Sequence, residues 1–192
     1  MNPPMNTKKE STAVSGILPI HNGEHWIKKN LENILSTLRQ QDELVIVENG
    51  SSDRSHKLLT DYKKQDSRIN LISLSRPGLV DSLNAAVNES TNELLARFDI
   101  DDSYSSFRLA CQVQTLMDSD QNCGAVFSDY RITSESGFHL GRIYSPIFPF
   151  QTKLSLFNSQ RTAHPSVLFR KSLVLEAGMY RKDDFPAEDL GP

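Results

Sequence analysis

The stretch Leu94-Leu95-Ala96-Arg97-Phe98-Asp99-Ile100-Asp101-Asp102 puts three carboxylates within four positions at the exit of a short apolar run. Such a run reads as a buried strand, and open α/β sheets bind ligands beyond the carboxyl ends of their strands. In extended backbone Asp99 and Asp101, two apart, point to the same side. Like charges held that close repel unless a cation lies between them. Hard carboxylate oxygens suit Mg2+ or Mn2+ bridged to a phosphate better than zinc. An isolated D-x-D is also compatible with a solvated acidic turn, so the flanking sequence decides.

Upstream, three units of one kind lead into this strand. Val14 to Ile20 is a β-rich run ended by Pro19 and the turn residues Asn22-Gly23, and from Glu24 the period changes. Ile27, Leu31, Ile34, Leu35 and Leu38 then fall on one helical face. Glu43 to Val47 is a second strand. It runs into Glu48-Asn49-Gly50-Ser51-Ser52-Asp53, a turn that doubles as an N-cap for a helix carrying Leu58, Leu59 and Tyr62. Ile69 to Leu74 is a third strand, and after Pro77-Gly78 a helix carries Leu79, Val80, Leu83, Ala86 and Val87. Three β-α units feeding a fourth strand, Leu94 to Phe98, predict parallel pairing with right-handed crossovers: a mostly parallel twisted α/β sheet flanked by helices, in a single domain. Each strand exit carries polar or glycine-rich residues (Ile20 to Gly23, Glu48 to Ser51, Arg76 to Gly78, Asp99 to Asp102), the expected rim of a nucleotide pocket.

Downstream the rhythm loosens. Ser105-Ser106 can cap a helix through Met117, Gly124 to Ser128 reads as a strand, and Arg131 to Tyr144 as a hairpin turning at Glu135-Ser136-Gly137. The aromatic, proline-broken stretch Tyr144 to Phe150 reads as core packing, with a membrane contact or an acceptor wall as the alternatives. A short helix from Gln151 to Phe157, a strand from Pro165 to Phe169, and a helix from Lys171 to Ala177 ended by Gly178 complete the chain. Residues 13–103 would hold a nucleotide and residues 104–192 an acceptor, with residues 1–12 a flexible leader.

The 192 residues are 38% hydrophobic and 23% charged, as expected of a globular domain, and the net charge of −3 carries no electrostatic footprint for nucleic acid. No run approaches the roughly 18 apolar residues of a membrane span. Cys111 and Cys123 lack metal spacing and read as reduced cytosolic thiols.

From Val14 onward the motifs and their order resemble family 2 glycosyltransferases of the GT-A fold. Val14 to Glu24 looks like the family's opening strand, with His21 where tyrosine is usual. Val45 to Asp53 matches its D-D-G-S-x-D turn with Glu48 and Asn49 substituted. Gly78 through Asn84 resembles G-x-x-x-x-x-N, and Ala96 to Asp102 resembles A-R-x-D-x-D-D. Arg108-Leu109 with Gln112-Val113 resembles R-L-x-x-Q-V. Ala163 to Arg170 and Ala187-Glu188-Asp189 resemble H-P-S-x-x-x-R and A-E-D.

The resemblance implies an inverting, metal-dependent transfer of a sugar from a nucleotide-sugar donor to a saccharide or lipid-linked acceptor, in bacterial surface-polysaccharide synthesis. UDP-sugars are favoured, with GDP- and dTDP-sugars as alternatives. Pro19, His21, Asn22, Asn49, Gly50 and Ser51 would line the nucleotide site, with Asp99 near the ribose. Asp99 and Asp101 would face the Mn2+ or Mg2+ ion. Asp189 would be the base, with His164 and Glu188 on the acceptor side; Arg97 either partners the acidic cluster or forms a surface ion pair. The enzyme would be cytoplasmic, with a peripheral contact at the inner membrane face. Gly191-Pro192 stands where the family continues into a helix, so a truncated, catalytically weak nucleotide-sugar-binding remnant is the alternative expectation.

Overall fold

The computed structural model describes residues 12–145 and 163–184. Strands β1 (Val14–Ile20), β2 (Glu43–Asn49), β3 (Ile69–Leu74) and β4 (Leu94–Arg97) alternate with helices α1 (Glu24–Thr37), α2 (Ser55–Gln65) and α3 (Leu79–Glu89). After β4 come α4 (Arg108–Asp118), β5 (Ala125–Phe127), the hairpin β6 (Tyr130–Thr133) and β7 (His139–Ile143), β8 (Val167–Arg170) and α5 (Lys171–Glu176). The main sheet has the order β3-β2-β1-β4-β8-β5. The first four strands pair in parallel, as the βα repetition predicts.

Strand alternation sorts the apolar residues into two cores. Leu18 and Ile20 of β1, Leu44 and Ile46 of β2, and Leu94 and Ala96 of β4 face α1, α2 and α4. Ile17, Val45, Val47 and Leu95 face Leu83, Ala86 and Val87 of α3. Gly16 leaves room for this packing: a Cβ there would lie 2.8 Å from a Leu44 methyl and 3.0 Å from the Phe98 ring. Both faces of the central strands are covered, which is why they read as continuous apolar runs rather than alternating ones.

The sheet is mostly parallel, as expected, with β8 antiparallel to both β4 and β5. β8 follows β4 only after α4, β5 and the β6–β7 hairpin, so the βα repeat has no bearing on its direction. Several local expectations are corrected. The strand expected from Pro165 begins at Val167, because His164–Ser166 forms a 3-10 turn. Helix α4 starts at Arg108, with Phe107 as its cap residue; Ser105 instead accepts the Arg108 N–H on its carbonyl, forming the turn before the helix. The cap residue of α2 is Arg54, one position beyond the expected turn; Asp53 accepts the Ser55 N–H at 2.9 Å. The hairpin turns at Ser134–Phe138 with Gly137 at φ +85°, in agreement with the sequence. The expected helix over residues 151–157, most of the aromatic stretch 144–150 and the 1–11 part of the leader lie outside the described residues.

Candidate functional site

β1 has β2 on one side and β4 on the other, so the direction of strand succession reverses between β1 and β4. A crevice at such a switch point is the general ligand position of open α/β sheets. Four strand exits meet around it, held by side-chain to backbone hydrogen bonds.

The exits of β1 and β2 are laced together. The His21 ring lies 3.0 Å from the Asn49 carbonyl oxygen through Nδ1. The Asn22 N–H donates to Ser51 Oγ (3.0 Å), and Asn22 Oδ1 accepts from the Ser52 N–H (2.9 Å). Asn22 has φ +50°, a conformation its short amide side chain tolerates. Glu48 Oε1 turns back to accept the Ser51 N–H at 2.6 Å, closing the β2 exit into a loop. Gly50, at φ +70°, brings that loop against the exit of β3, where an added Cβ would stand 3.3 Å from the Arg76 backbone. Asn49 is buried and donates through Nδ2 to Ser82 Oγ at 2.6 Å, while Ser82 donates to the Gly78 carbonyl. The Ser82 hydroxyl hydrogen is thereby committed, and the Asn49 amide is oriented with Oδ1 unbonded among the described residues. Pro19, within β1, lies opposite Val47 of β2.

The exit of β4 differs from the extended geometry expected of it. The strand ends at Arg97, and the Asp102 N–H bonds to the Asp99 carbonyl at 3.2 Å, so Asp99 to Asp102 is a turn. Asp99 and Asp101 therefore do not share a face through strand alternation. Asp99 Oδ1 lies 2.6 Å from Arg97 Nη2, and Arg97 is 4% exposed, which makes Arg97 a buried partner of the acidic cluster rather than a surface ion pair. Burial pushes the Asp99 carboxyl above its ordinary range against the pull of Arg97. Asp101 and Asp102 reach solvent. The Asp102 carboxyl is nonetheless pushed up to about 6, by desolvation and then by the charges of Asp99 and Asp101.

Sequence reasoning missed the residues that hold this turn. Asn30 and Asn33, one turn apart on α1, reach across: Asn30 Nδ2 donates to the Ile100 carbonyl (2.8 Å), and Asn33 makes two bonds with the Tyr104 backbone (2.7 and 2.9 Å). Tyr104 Oη accepts the Asp99 N–H at 2.7 Å. The buried Arg108 guanidinium lies 4.7 Å from the Phe98 ring and 4.8 Å from the Tyr104 ring, and burial pushes its pKa down to about 10. Arg108 Nη2 also donates to the carbonyls of Arg97 and Val167, and Gln112 Nε2 to those of Val126 and Ser166. One helix face thus ties together β4, β8 and β5, and gives the Ser166 carbonyl a second donor beside the Ser128 N–H. The signal for these residues was faint: two asparagines at helical spacing and the Arg-Gln pair quoted for the resemblance.

His164 sits against β4 in the 3-10 turn before β8, its Nε2 3.0 Å from Tyr180 Oη. Burial, together with the Arg97 charge, pushes it down to about 3, so it is neutral at physiological pH. Glu188 and Asp189 lie outside the described residues. Pro19, His21, Asn22, Asn49, Gly50, Ser51, Asp99 and Asp101 thus share one end of one sheet.

Known proteins share this sequence pattern and this fold. TuaG of Bacillus subtilis (strain 168), named for teichuronic acid biosynthesis as a glycosyltransferase, is 27% identical over 135 residues, which is 69% of this chain and 53% of TuaG. A glycosyltransferase of Rickettsia bellii (strain RML369-C) is 24% identical over 163 residues, 85% of this chain and 23% of that protein. The chain thus spans about half, or less, of the length of these curated relatives. Among solved structures, S. aureus TarS 1-349 superposes with a TM-score of 0.67 at 17% identity, over 93% of this chain and 53% of that one. The mannosyltransferase PcManGT from Pyrobaculum calidifontis, in complex with GDP-Man and Mn2+, gives 0.66 at 20% identity, over 88% and 48%. These likenesses show the fold, which is that of GT-A proteins. The family model described as Glycosyl transferase family 2 matches residues 15–177, and the chain belongs to that family.

Proposed function

We propose that this chain moves a sugar from a nucleotide-sugar donor to a saccharide or lipid-linked acceptor, with a divalent metal and with inversion at the anomeric carbon. One observation carries the reading: the acidic turn Asp99–Asp102 leaves β4 at the switch point beside the exit of β1, with the Asn49–Ser51 loop closing the same crevice. Family membership supplies the reaction class.

Asn49, Gly50 and Ser51, with Pro19, His21 and Asn22, form the base side of the crevice, and Asp99 lies toward the ribose, steadied by Arg97. The donor set fits a hard cation of the kind that takes one or two carboxylates and completes its shell with phosphate oxygens. Asp101 would be the principal ligand, with Asp99 beside it. Asp102 is raised by desolvation first and then by the charges of Asp99 and Asp101, and a cation held there would offset the latter. When bound, Mn2+ or Mg2+ neutralises the charge developing on the departing diphosphate.

On the acceptor side, Asp189 takes the proton of the attacking hydroxyl, with Glu188 and His164 shaping the site. A neutral His164 contributes a hydrogen bond rather than charge. Displacement on the face opposite the leaving group inverts the anomeric centre. UDP-sugars are the favoured donors, supported by TarS structures with UDP and UDP-GlcNAc; the GDP-Man complex of the mannosyltransferase keeps GDP-sugars in view, and dTDP-sugars are the third alternative. TuaG supports a surface-polysaccharide setting. No helix among the described residues is long and apolar enough to cross a membrane. The proposed location is cytoplasmic, with a peripheral contact at the inner membrane face.

Calorimetric titration with UDP and with GDP, each with Mn2+ and with EDTA, tests the site. Metal-dependent binding of one nucleotide, lost in Asp101→Ala, is expected. Folded protein that binds neither of these nor dTDP would overturn the reading.

A further inference from the structure

After β8 and α5 the chain turns at two successive left-handed residues. α5 ends with Gly178 at φ +92° and Met179 at φ +69°, the latter an uncommon conformation for a side chain of its size. The Met179 N–H closes the helix end onto the Val174 carbonyl at 2.9 Å. These two left-handed residues turn Tyr180 back toward α3. There Asn84 takes both backbone groups of Tyr180, donating Nδ2 to its carbonyl (2.9 Å) and accepting its N–H on Oδ1 (3.0 Å). An amide side chain bonded in this way acts as one rung of a sheet. Lys182 adds an exposed ion pair to Asp81 on the same helix, at 2.7 Å.

The Tyr180 side chain extends the fastening inward. Its hydroxyl lies 3.0 Å from His164 Nε2, and the two rings are 5.6 Å apart. His164 packs against β4 within the field of Arg97, and Arg97 holds Asp99 at 2.6 Å. Polar groups thus run from α3, through the segment after α5, to the acidic turn. Neither Asn84 nor Tyr180 belongs to the crevice itself.

We propose that Tyr180 is a positioning residue that couples occupation of the crevice to the docking of the chain after α5: the hydroxyl fixes His164 beside the Arg97–Asp99 pair, and the Asn84 rung holds the backbone of the same residue against α3. This coupling rests on the donor-site reading above. A ligand that orders the Asp99 turn tightens the Tyr180 fastening, and a tighter fastening strengthens ligand binding by the same factor, because coupling between two sites is reciprocal.

Trypsin reads the fastening directly, since Arg181 and Lys182 follow Tyr180. The full chain is digested with and without UDP or GDP plus Mn2+, beside Tyr180→Phe and Asn84→Ala, while calorimetry reports nucleotide binding separately. Tyr180→Phe keeps the ring and the backbone rung and loses only the hydroxyl. In the wild type, nucleotide with metal should slow cleavage after Arg181 and Lys182 at least fivefold. In Tyr180→Phe that protection should vanish while the fold survives. Asn84→Ala should speed cleavage at least fivefold without ligand. Bound nucleotide with no protection in the wild type, or equal protection in Tyr180→Phe, would overturn the coupling and leave the donor reading standing. Absence of nucleotide binding in calorimetry would remove the donor reading and the coupling with it, whatever the variants do to cleavage.

Discussion

Arg97 and Asp99, two residues apart at the end of β4, close an ion pair of 2.6 Å in which the guanidinium is buried and the carboxylate keeps 30% of its side-chain exposure. Arg97 also donates to the Phe98 carbonyl at 2.6 Å, so it braces the backbone at the point where the strand becomes a turn. Replacing it by methionine fills the volume and leaves Asp99 without its counter-charge. Removing one partner of a buried pair costs several kcal/mol, and the residual exposure of Asp99 places the loss at the low end, about 3 kcal/mol. Urea denaturation of Arg97→Met should show that loss, and calorimetry a fall of at least tenfold in metal-dependent nucleotide affinity. Unchanged affinity would show that Asp99 needs no bracing.

Asn30 contributes through a buried bond, Nδ2 to the Ile100 carbonyl. In Asn30→Ala that carbonyl loses its donor inside the protein, at a cost of about 1–3 kcal/mol. The acidic turn then loses its tie to α1, so the nucleotide affinity should fall alongside stability. Ser36, on the exposed side of the same helix, offers a control: Ser36→Ala should alter neither quantity by more than about 0.5 kcal/mol. Equal behaviour of the two variants would remove Asn30 from the account.

Gly50 tests the loop between β2 and α2. Alanine there must hold φ near +70° and place its Cβ 3.3 Å from the Arg76 backbone. The left-handed conformation alone costs about 1–2 kcal/mol. The loop must shift away from Arg76-Pro77, so Gly50→Ala should weaken nucleotide binding more than it lowers the melting temperature. A variant that binds as tightly as the wild type would place the base elsewhere.

His164 makes stability depend on pH. Its folded-state value of about 3 lies below the ordinary histidine value near 6.5. Between those values the unfolded chain holds a proton that the folded chain refuses. Stability present above pH 6.5 is therefore lost as the pH falls toward 3, by up to about 1.4 kcal/mol per pH unit. Among the described residues, the groups facing the ring are Arg97 from β4 and Tyr180 after α5. His164→Gln offers Tyr180 a polar partner and has no proton to gain. The stability difference between the two proteins should be flat above pH 7 and change steadily from pH 6.5 to 4.5, as followed by urea midpoints. A difference independent of pH would mean that His164 is charged in the fold.

Much of the sheet was legible because βα units write their pattern locally. In α1, Ile27, Leu31 and Ile34 lie on one helical face, and that face is the buried one. The exits of β1, β2 and β4 followed from the same reading, since a strand's end fixes where its polar turn must lie. The extended placement of Asp99 and Asp101 failed for a local reason: alternation holds only while the strand continues, and β4 stops at Arg97. The antiparallel β8 was not legible, because Val167 to Phe169 carries the same apolar pattern in either direction.

The sequence by itself determined the succession of strands and helices, the two apolar faces of the sheet and the gathering of polar turns at one of its ends, all consequences of side-chain period and backbone preference along short stretches. Only the tertiary structure decided which residues hold those turns in place. Asn30 meets Ile100 across 70 positions, Gln112 meets Ser166 across 54, and Asn84 meets Tyr180 across 96. No local preference selects such partners. They are chosen when packing brings a backbone carbonyl within reach of a side chain that can donate to it, and a buried carbonyl left unpaired would cost more than the ordering of the side chain.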